Sequence, residues 1–241
     1  MVNAYPVLGK QKSVDLCRAF VEGALLHDQS ANFAVFYGVD DSNMKEWQWT
    51  LAGERDWYYI DNSYFDETRG THFRITKNAV QHSGVGVSTG DRIPAKIRPW
   101  RKDGNHIVVC PQSDDFMKRI ALYNGDWLRD TEMALRKLTV RPLRVRPWDR
   151  NKAALSKTLV DDLRGAWALV TYSSAAAITA ICEGVPTISK AGAAACMGSD
   201  LATIENPKIH NDRQRFLGVL ADNQFTIEEM RRGFAWKWLA R

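Results

Sequence analysis

Cysteine is scarce in this chain and scattered. Cys17, Cys110, Cys182 and Cys196 form no C-x-x-C pair and lack zinc-ligand spacing, so the sequence offers neither a cysteine zinc site nor a disulfide framework. Cys110 and Cys182 stand in apolar runs, as small core residues do. Long apolar stretches are missing as well. No run approaches the ~20 residues a membrane helix needs, and the opening MVNAYPVLGKQK has no continuous apolar core of the signal-peptide kind. The expectation is a cytoplasmic protein with no membrane partner. Internal repeats and low-complexity tracts are also absent. At 45% hydrophobic and 25% charged residues the composition is that of a folded globular chain, which excludes general disorder.

What the chain does have is basic charge and tryptophan. The net charge is +5, and there are nine tryptophans. Arg136, Lys137, Arg141, Arg144, Arg146, Arg150 and Lys152 crowd one stretch against a single acid, Asp149. Lys96, Arg98, Arg101 and Lys102 form a second cluster, and Trp100 and Trp148 sit within the two. Basic residues interleaved with aromatics suit a nucleic-acid surface, with Arg98, Arg101, Lys102 and Arg150 as the contacts. A solvated basic face over packed tryptophans reads the same way.

The 241 residues alternate between helix-like and strand-like segments. Residues 13–26 carry apolar side chains at a 3.6 period, with Ser13 as the N-cap. NFAVFYGV (32–39), WYYIDN (57–62) and THFRITKNAV (71–80) read as strands. The Pro- and Gly-containing stretch 90–104 reads as a linker. Beyond it, strands at 106–113, 141–147, 167–174 and 184–189 alternate with helices at 126–138, 156–166 and 175–183. That order implies right-handed crossovers and a parallel sheet. One final helix is predicted over 226–241, opened by a Thr226-x-x-Glu229 capping box. The fold class is therefore α/β, with a parallel sheet in the C-terminal half. Residues 1–100 form one domain, 101–225 a second, and 226–241 a helix that packs back on the first.

In an open parallel sheet, ligands gather outside the carboxyl ends of the strands. Three such ends in the second half are polar: Gln112-Ser113, Arg144 to Arg146, and Ser173-Ser174. The serine pair stands where an apolar strand hands over to a helix. It serves as a simple cap or as an anion site, since free N–H groups and the helix dipole favour negative charge there. Arg144 and Arg146 lie two apart and share one face. In a buried parallel strand they need an anionic partner such as phosphate. On an edge strand they need none.

WALVTYSSAAAITAICEGVPTIS (167–189) resembles the donor-binding half of GT-B-type glycosyltransferases, and RPLRVRPWDR (141–150) resembles the preceding strand in capsule-type members. The resemblance spans roughly residues 105–200. It implies two Rossmann-like domains facing a cleft, in a compact GT-B-like arrangement. It also implies transfer of a sugar from a nucleotide-diphosphate sugar, a UDP-sugar for preference, with no further cofactor and no metal. The implied donor contacts are Gln112, Ser113, Arg144, Arg146, Ser173 and Ser174. Gly9, Lys10 and Lys12, after the first strand, read as a glycine loop against substrate, with Gly9 and Lys10 as donor contacts, or equally as an ordinary surface loop. Where the family has a ribose-binding glutamate this chain has Thr179, ~7.5 Å along the helix from Ser174. Glu183 stands one turn further on.

A transferase of this kind needs a base for the acceptor hydroxyl. Asp61, directly after WYYI, is the first candidate and Asp40 the second, although aspartates at strand ends are also ordinary turn residues. His72 and His82 are weaker candidates. The compact chain also resembles bacteriophage GT-B proteins that glycosylate hydroxymethylated pyrimidines, which implies a DNA acceptor. Epimerases share the architecture, and the chain is short for a GT-B enzyme, so an epimerase-like enzyme and a non-catalytic DNA- or nucleotide-binding module stand as alternatives. The oligomeric state is open.

Overall fold

The structure is a computed structural model that describes residues 1–90, 92, 97–148 and 157–240. In chain order its elements are strand β1 (Val2–Pro6), helix α1 (Gln11–Leu25), β2 (Phe33–Tyr37), α2 (Met44–Ala52), β3 (Trp57–Asn62), β4 (His72–Lys77), β5 (His106–Cys110), α3 (Asp114–Arg119), α4 (Trp127–Leu138) and β6 (Leu143–Val145). There follow α5 (Leu159–Leu163), β7 (Ala166–Thr171), α6 (Ala176–Cys182), β8 (Thr187–Ser189), α7 (Arg213–Asp222), β9 (Gln224–Thr226), α8 (Ile227–Arg231) and α9 (Phe234–Leu239). Short 3₁₀ turns lie at Ala193–Met197 and Leu201–Thr203. The chain divides into two compact units, Met1–His82 with Leu220–Arg241, and Ser83–Val219. The composition change at 90–104 thus lies inside the second unit.

The first unit is built on a sheet of order β1-β2-β3-β4-β9. Strands β1, β2 and β3 run parallel, while β4 and β9 are antiparallel to their neighbours. Phe33, Ala34, Val35 and Phe36 are all buried, so β2 is apolar on both faces, as a central parallel strand covered on both sides must be. On one face Phe20, Phe33, Tyr58 and Trp236 interlock, with ring centroids 4.9–6.3 Å apart. On the other, Trp47 meets Phe36 and Trp57 edge-on at 5.1 Å. Trp47 is the buried residue that holds α2 in place. With so little apolar periodicity, MKEWQWTLA does not announce itself as a helix.

Two local expectations are corrected. Ser13 is not the N-cap of α1: that position is Lys10, and Ser13 is buried one turn inside. Its hydroxyl accepts from Val7 N (2.9 Å) and donates to Tyr37 O (2.9 Å), tying β1 and β2 to the helix. The C-terminal segment is not one helix. Its capping box is present, with Thr226 accepting from Glu229 N, but α8 ends and α9 starts at Gly233, which has φ +78°. The break lets α8 and α9 fold over α1. A Cβ at Gly23 would overlap the Met230 carbonyl oxygen, so only glycine permits that approach.

The second unit holds a parallel sheet of order β6-β5-β7-β8. Central β5 is buried at every residue. Its core partners Ile107, Val109, Leu135, Ala168, Val170 and Ile188 join β5, β7 and β8 to α4. Asp126 caps α4 by accepting from Arg129 N (3.0 Å), and Arg136 and Lys137 in its last turn suit the helix dipole. The connection from β5 leads to β6 on one side, and that from β7 leads to β8 on the other. The strand order therefore reverses between β5 and β7.

Candidate functional site at the strand ends

That reversal opens a crevice outside the carboxyl ends of β5 and β7, where an open α/β sheet receives its ligand. The residues there are polar and linked. Gln112 Nε2 donates to Ser173 Oγ (2.8 Å), joining the two strand ends. Thr171 Oγ1 donates to Cys110 O (2.6 Å) and accepts from Ser174 N (3.2 Å). Ser174 Oγ accepts from Ala176 N (3.2 Å) at the first turn of α6, and Ser113 caps α3 by accepting from Phe116 N (3.1 Å). Beside them lies a cavity of about 840 Å³ lined by Gln112, Ser113, Tyr123, Trp127 and Trp148, among others. Tyr172 meets Tyr123 and Trp127 edge-on, at 6.1 and 6.2 Å. The sequence reading missed Tyr123 and Trp127. Trp127 opens the amphipathic helix α4 and carries no mark that separates it from a core residue.

The arginines and the glutamate stand differently. Among the described strands β6 lies at the sheet edge, so Arg144 on it needs no buried partner. Arg144 is exposed. Arg146 pairs with Asp162 and donates to Lys157 O (3.0 Å). Thr179 is half-buried midway along α6. Glu183 is at the far end of α6 from Ser174 and pairs with Arg98 (2.8 Å). Arg98 N and Arg101 N donate to Cys182 O and Gly184 O (both 2.8 Å), while the Arg101 guanidinium donates to Leu163 O. Arg98 and Arg101 thus brace the α6–β8 turn. Lys102 is exposed, and Arg150 lies outside the described residues.

In the first unit the carboxyl ends of β1, β2 and β3 come together. Gly9 (φ +75°) and Lys10 form the turn into α1, with open space around the glycine. Lys10 pairs with Asp40 (3.7 Å), whose Oδ1 accepts from Ser42 N (2.9 Å) and Ser42 Oγ (2.6 Å) in a side-chain-closed turn. Asp61 closes β3. Arg74 lies directly opposite it on β4 and donates to its Oδ2, while Oδ1 accepts from Asn62 N (2.7 Å). Arg74 is buried, with its guanidinium over the Tyr64 ring at 4.5 Å. Lys12 Nζ and Tyr37 OH both donate to Asn62 Oδ1, at 3.1 and 3.2 Å. Burial holds the Lys12 ammonium below the ordinary lysine pKa, against the opposing pull of Asp61. Burial, then the Asp61 charge, pushes the Tyr37 phenol up to about 12. Lys12, read from the sequence only as part of the loop after the first strand, joins Tyr37, Asn62 and Arg74 around Asp61; those three escaped the sequence reading, because only the strand pairing gathers them there. His72 bonds to neighbouring Thr71 Oγ1 (3.0 Å), and His82 N donates to Tyr64 OH (3.0 Å). Among the described residues, no group of three or more His, Cys, Asp or Glu is placed to hold a metal, and no helix is long and apolar enough to cross a membrane.

No family model matches the chain, and no curated protein matches it. Solved structures do. The beta Kdo 2,7 transferase of KpsC from Thermosulfurimonas dismutans superposes with a TM-score of 0.56 at 13% identity, over 98% of this chain and 99% of that one. The chain shares that fold. The beta Kdo 2,4 transferase of the same KpsC superposes with a TM-score of 0.52 at 13% identity, over 90% and 89%. Since the first of these is matched over nearly its whole length, a chain of this size suffices for that fold.

Proposed function

We propose that the protein is a GT-B-type glycosyltransferase that moves a sugar from a nucleotide-diphosphate sugar to an acceptor hydroxyl. The observation that carries this reading is the polar crevice at the reversal between β5 and β7, where Gln112, Ser113, Ser173 and Ser174 surround the point at which such a sheet takes its ligand. The adjacent cavity of about 840 Å³ is of a size for a nucleotide sugar. The fold likeness to two Kdo transferases supports the reading. Asp61 is assigned as the base: it takes the proton of the acceptor hydroxyl while that oxygen bonds to the anomeric carbon and the nucleotide departs with the electron pair of the broken bond. Asp40, held by Ser42 and Lys10, is the second choice.

For the acceptor, a hydroxymethylated pyrimidine in DNA rests on the bacteriophage resemblance, the tryptophans, the absence of a membrane segment and the basic stretches, and of those basic residues Arg98, Arg101 and Arg146 are engaged within the fold. A carbohydrate hydroxyl therefore enters the test beside it. The experiment offers a panel of nucleotide sugars with hydroxymethylated DNA, unmodified DNA and oligosaccharides, and follows both nucleotide release and sugar transfer. Transfer to one acceptor, abolished in Asp61→Asn with donor binding retained, is the expected result. Absence of donor binding throughout the panel refutes the reading, and epimerisation of a UDP-sugar without acceptor replaces it.

A further inference from the structure

Lys12 stands out among the cations around Asp61. Lys10 has Asp40 and Arg74 has Asp61, but Lys12 has no carboxylate within ion-pair distance among the described residues. Its ammonium lies 4.7 Å from the Phe73 ring centroid and 5.4 Å from that of Tyr37, and it spends one of three donors on Asn62 Oδ1 (3.1 Å). With the other two pairs balanced, the cluster keeps one excess positive charge. The ammonium is exposed, so its two remaining donors are open to an anionic group arriving from solution.

We propose that Lys12, with Asn62 and Tyr37, binds an anionic group, a carboxylate or a phosphate, on a carbohydrate acceptor. The assignment to an acceptor rests on the transferase reading, in which Asp61, next in sequence to Asn62, takes the proton. A single ammonium between two rings fits one anionic substituent. A nucleic-acid backbone would need several cations spaced along its phosphates, and the neighbouring Lys10 and Arg74 are already paired with Asp40 and Asp61.

The test is a backbone and side-chain amide NMR titration of the full chain with glucuronate, glucose 6-phosphate and glucose. Resonances of Asn62, Tyr37 and Phe73 shift with one or both anionic sugars and not with glucose, and the comparison of the two distinguishes carboxylate from phosphate. Lys12→Met weakens that binding at least about tenfold, as loss of a charge-assisted hydrogen bond requires, and Lys12→Arg restores most of it. Lys12 is exposed, and Tyr37 still bonds Asn62 in the variant, so the fold survives, as an unchanged melting temperature would show. Equal shifts with glucose, no shifts with either anion, or unaltered binding in Lys12→Met overturns the proposal. So do the same shifts with a short DNA duplex, steeply weakened by salt, when the sugars leave those resonances still. Nucleotide-sugar binding to the unaltered chain is measured in parallel. Its failure sinks the transferase reading, while the anion titration stands on its own result.

Discussion

Replacing Gly184 by alanine would test whether the G-x-P turn is a structural device. Gly184 has φ +74°, and a Cβ built there overlaps the Pro99 carbonyl oxygen and lies 2.9 Å from Pro99 C and 3.1 Å from Arg98 O. All three are backbone atoms, so no rotamer change relieves the clash. The left-handed conformation costs alanine about 1 kcal/mol. Displacing residues 98–101 also breaks the bonds from Arg98 N to Cys182 O and Arg101 N to Gly184 O, about 1 kcal/mol each. The Arg98–Glu183 pair, with the guanidinium exposed, adds only a few tenths after solvent screening. The total is about 3 kcal/mol, or a fall in melting temperature of roughly 6–12 °C. Gly165 in the same unit is the control: its φ is +72°, but the nearest atom to a built Cβ is 3.8 Å away. Gly165→Ala therefore costs only the conformational part, about 1 kcal/mol. Urea unfolding followed by tryptophan fluorescence compares the two. Trp100 reports locally, since its Nε1 donates to His210 O (3.1 Å) beside the displaced segment. Equal costs at the two glycines would refute the close-approach argument.

Two further outcomes follow from the first unit. Gln224 Oε1 accepts from Ser63 Oγ and Tyr64 N (both 2.7 Å) just past Asp61, so Gln224→Leu leaves a buried N–H unpaired; unfolding by denaturant should show a loss of about 1–3 kcal/mol. Burial first, then nearby carboxylates, pushes the phenols of Tyr37 and Tyr58 up to about 12, against about 10 for an unfolded tyrosine. In that window the unfolded chain binds fewer protons, so stability present below pH 10 is lost as pH rises towards 12. A spectrophotometric titration checks this by showing a late phenol class that coincides with unfolding.

Much of the scaffold is legible in the residues, because apolar periodicity and turn chemistry are local. β3 lies at 57–62 as read, β5 and β7 begin within a residue of their predicted starts, and Asp126 caps α4. Features that depend on a distant partner were not legible. The stretch 190–223, which shows no clear period, supplies the 3₁₀ turns and α7. Ser13 looks like a cap until β2 offers it the Tyr37 carbonyl, and the final helix looks continuous until Gly23 brings α1 against it. Arg144 and Arg146 pose a burial problem only if β6 is interior, and its sheet position answers that.

The sequence by itself determined the alternation of strands and helices, the parallel second sheet and the polar character of the strand ends, since each follows from side chains close along the chain. Tertiary structure decided which of those polar groups meet. Strand order placed Gln112 against Ser173, and antiparallel pairing placed Arg74 against Asp61. The packing of α1 set Lys12 over two rings without a carboxylate. Such contacts join residues far apart in sequence, and only the folded backbone fixes the distance between them.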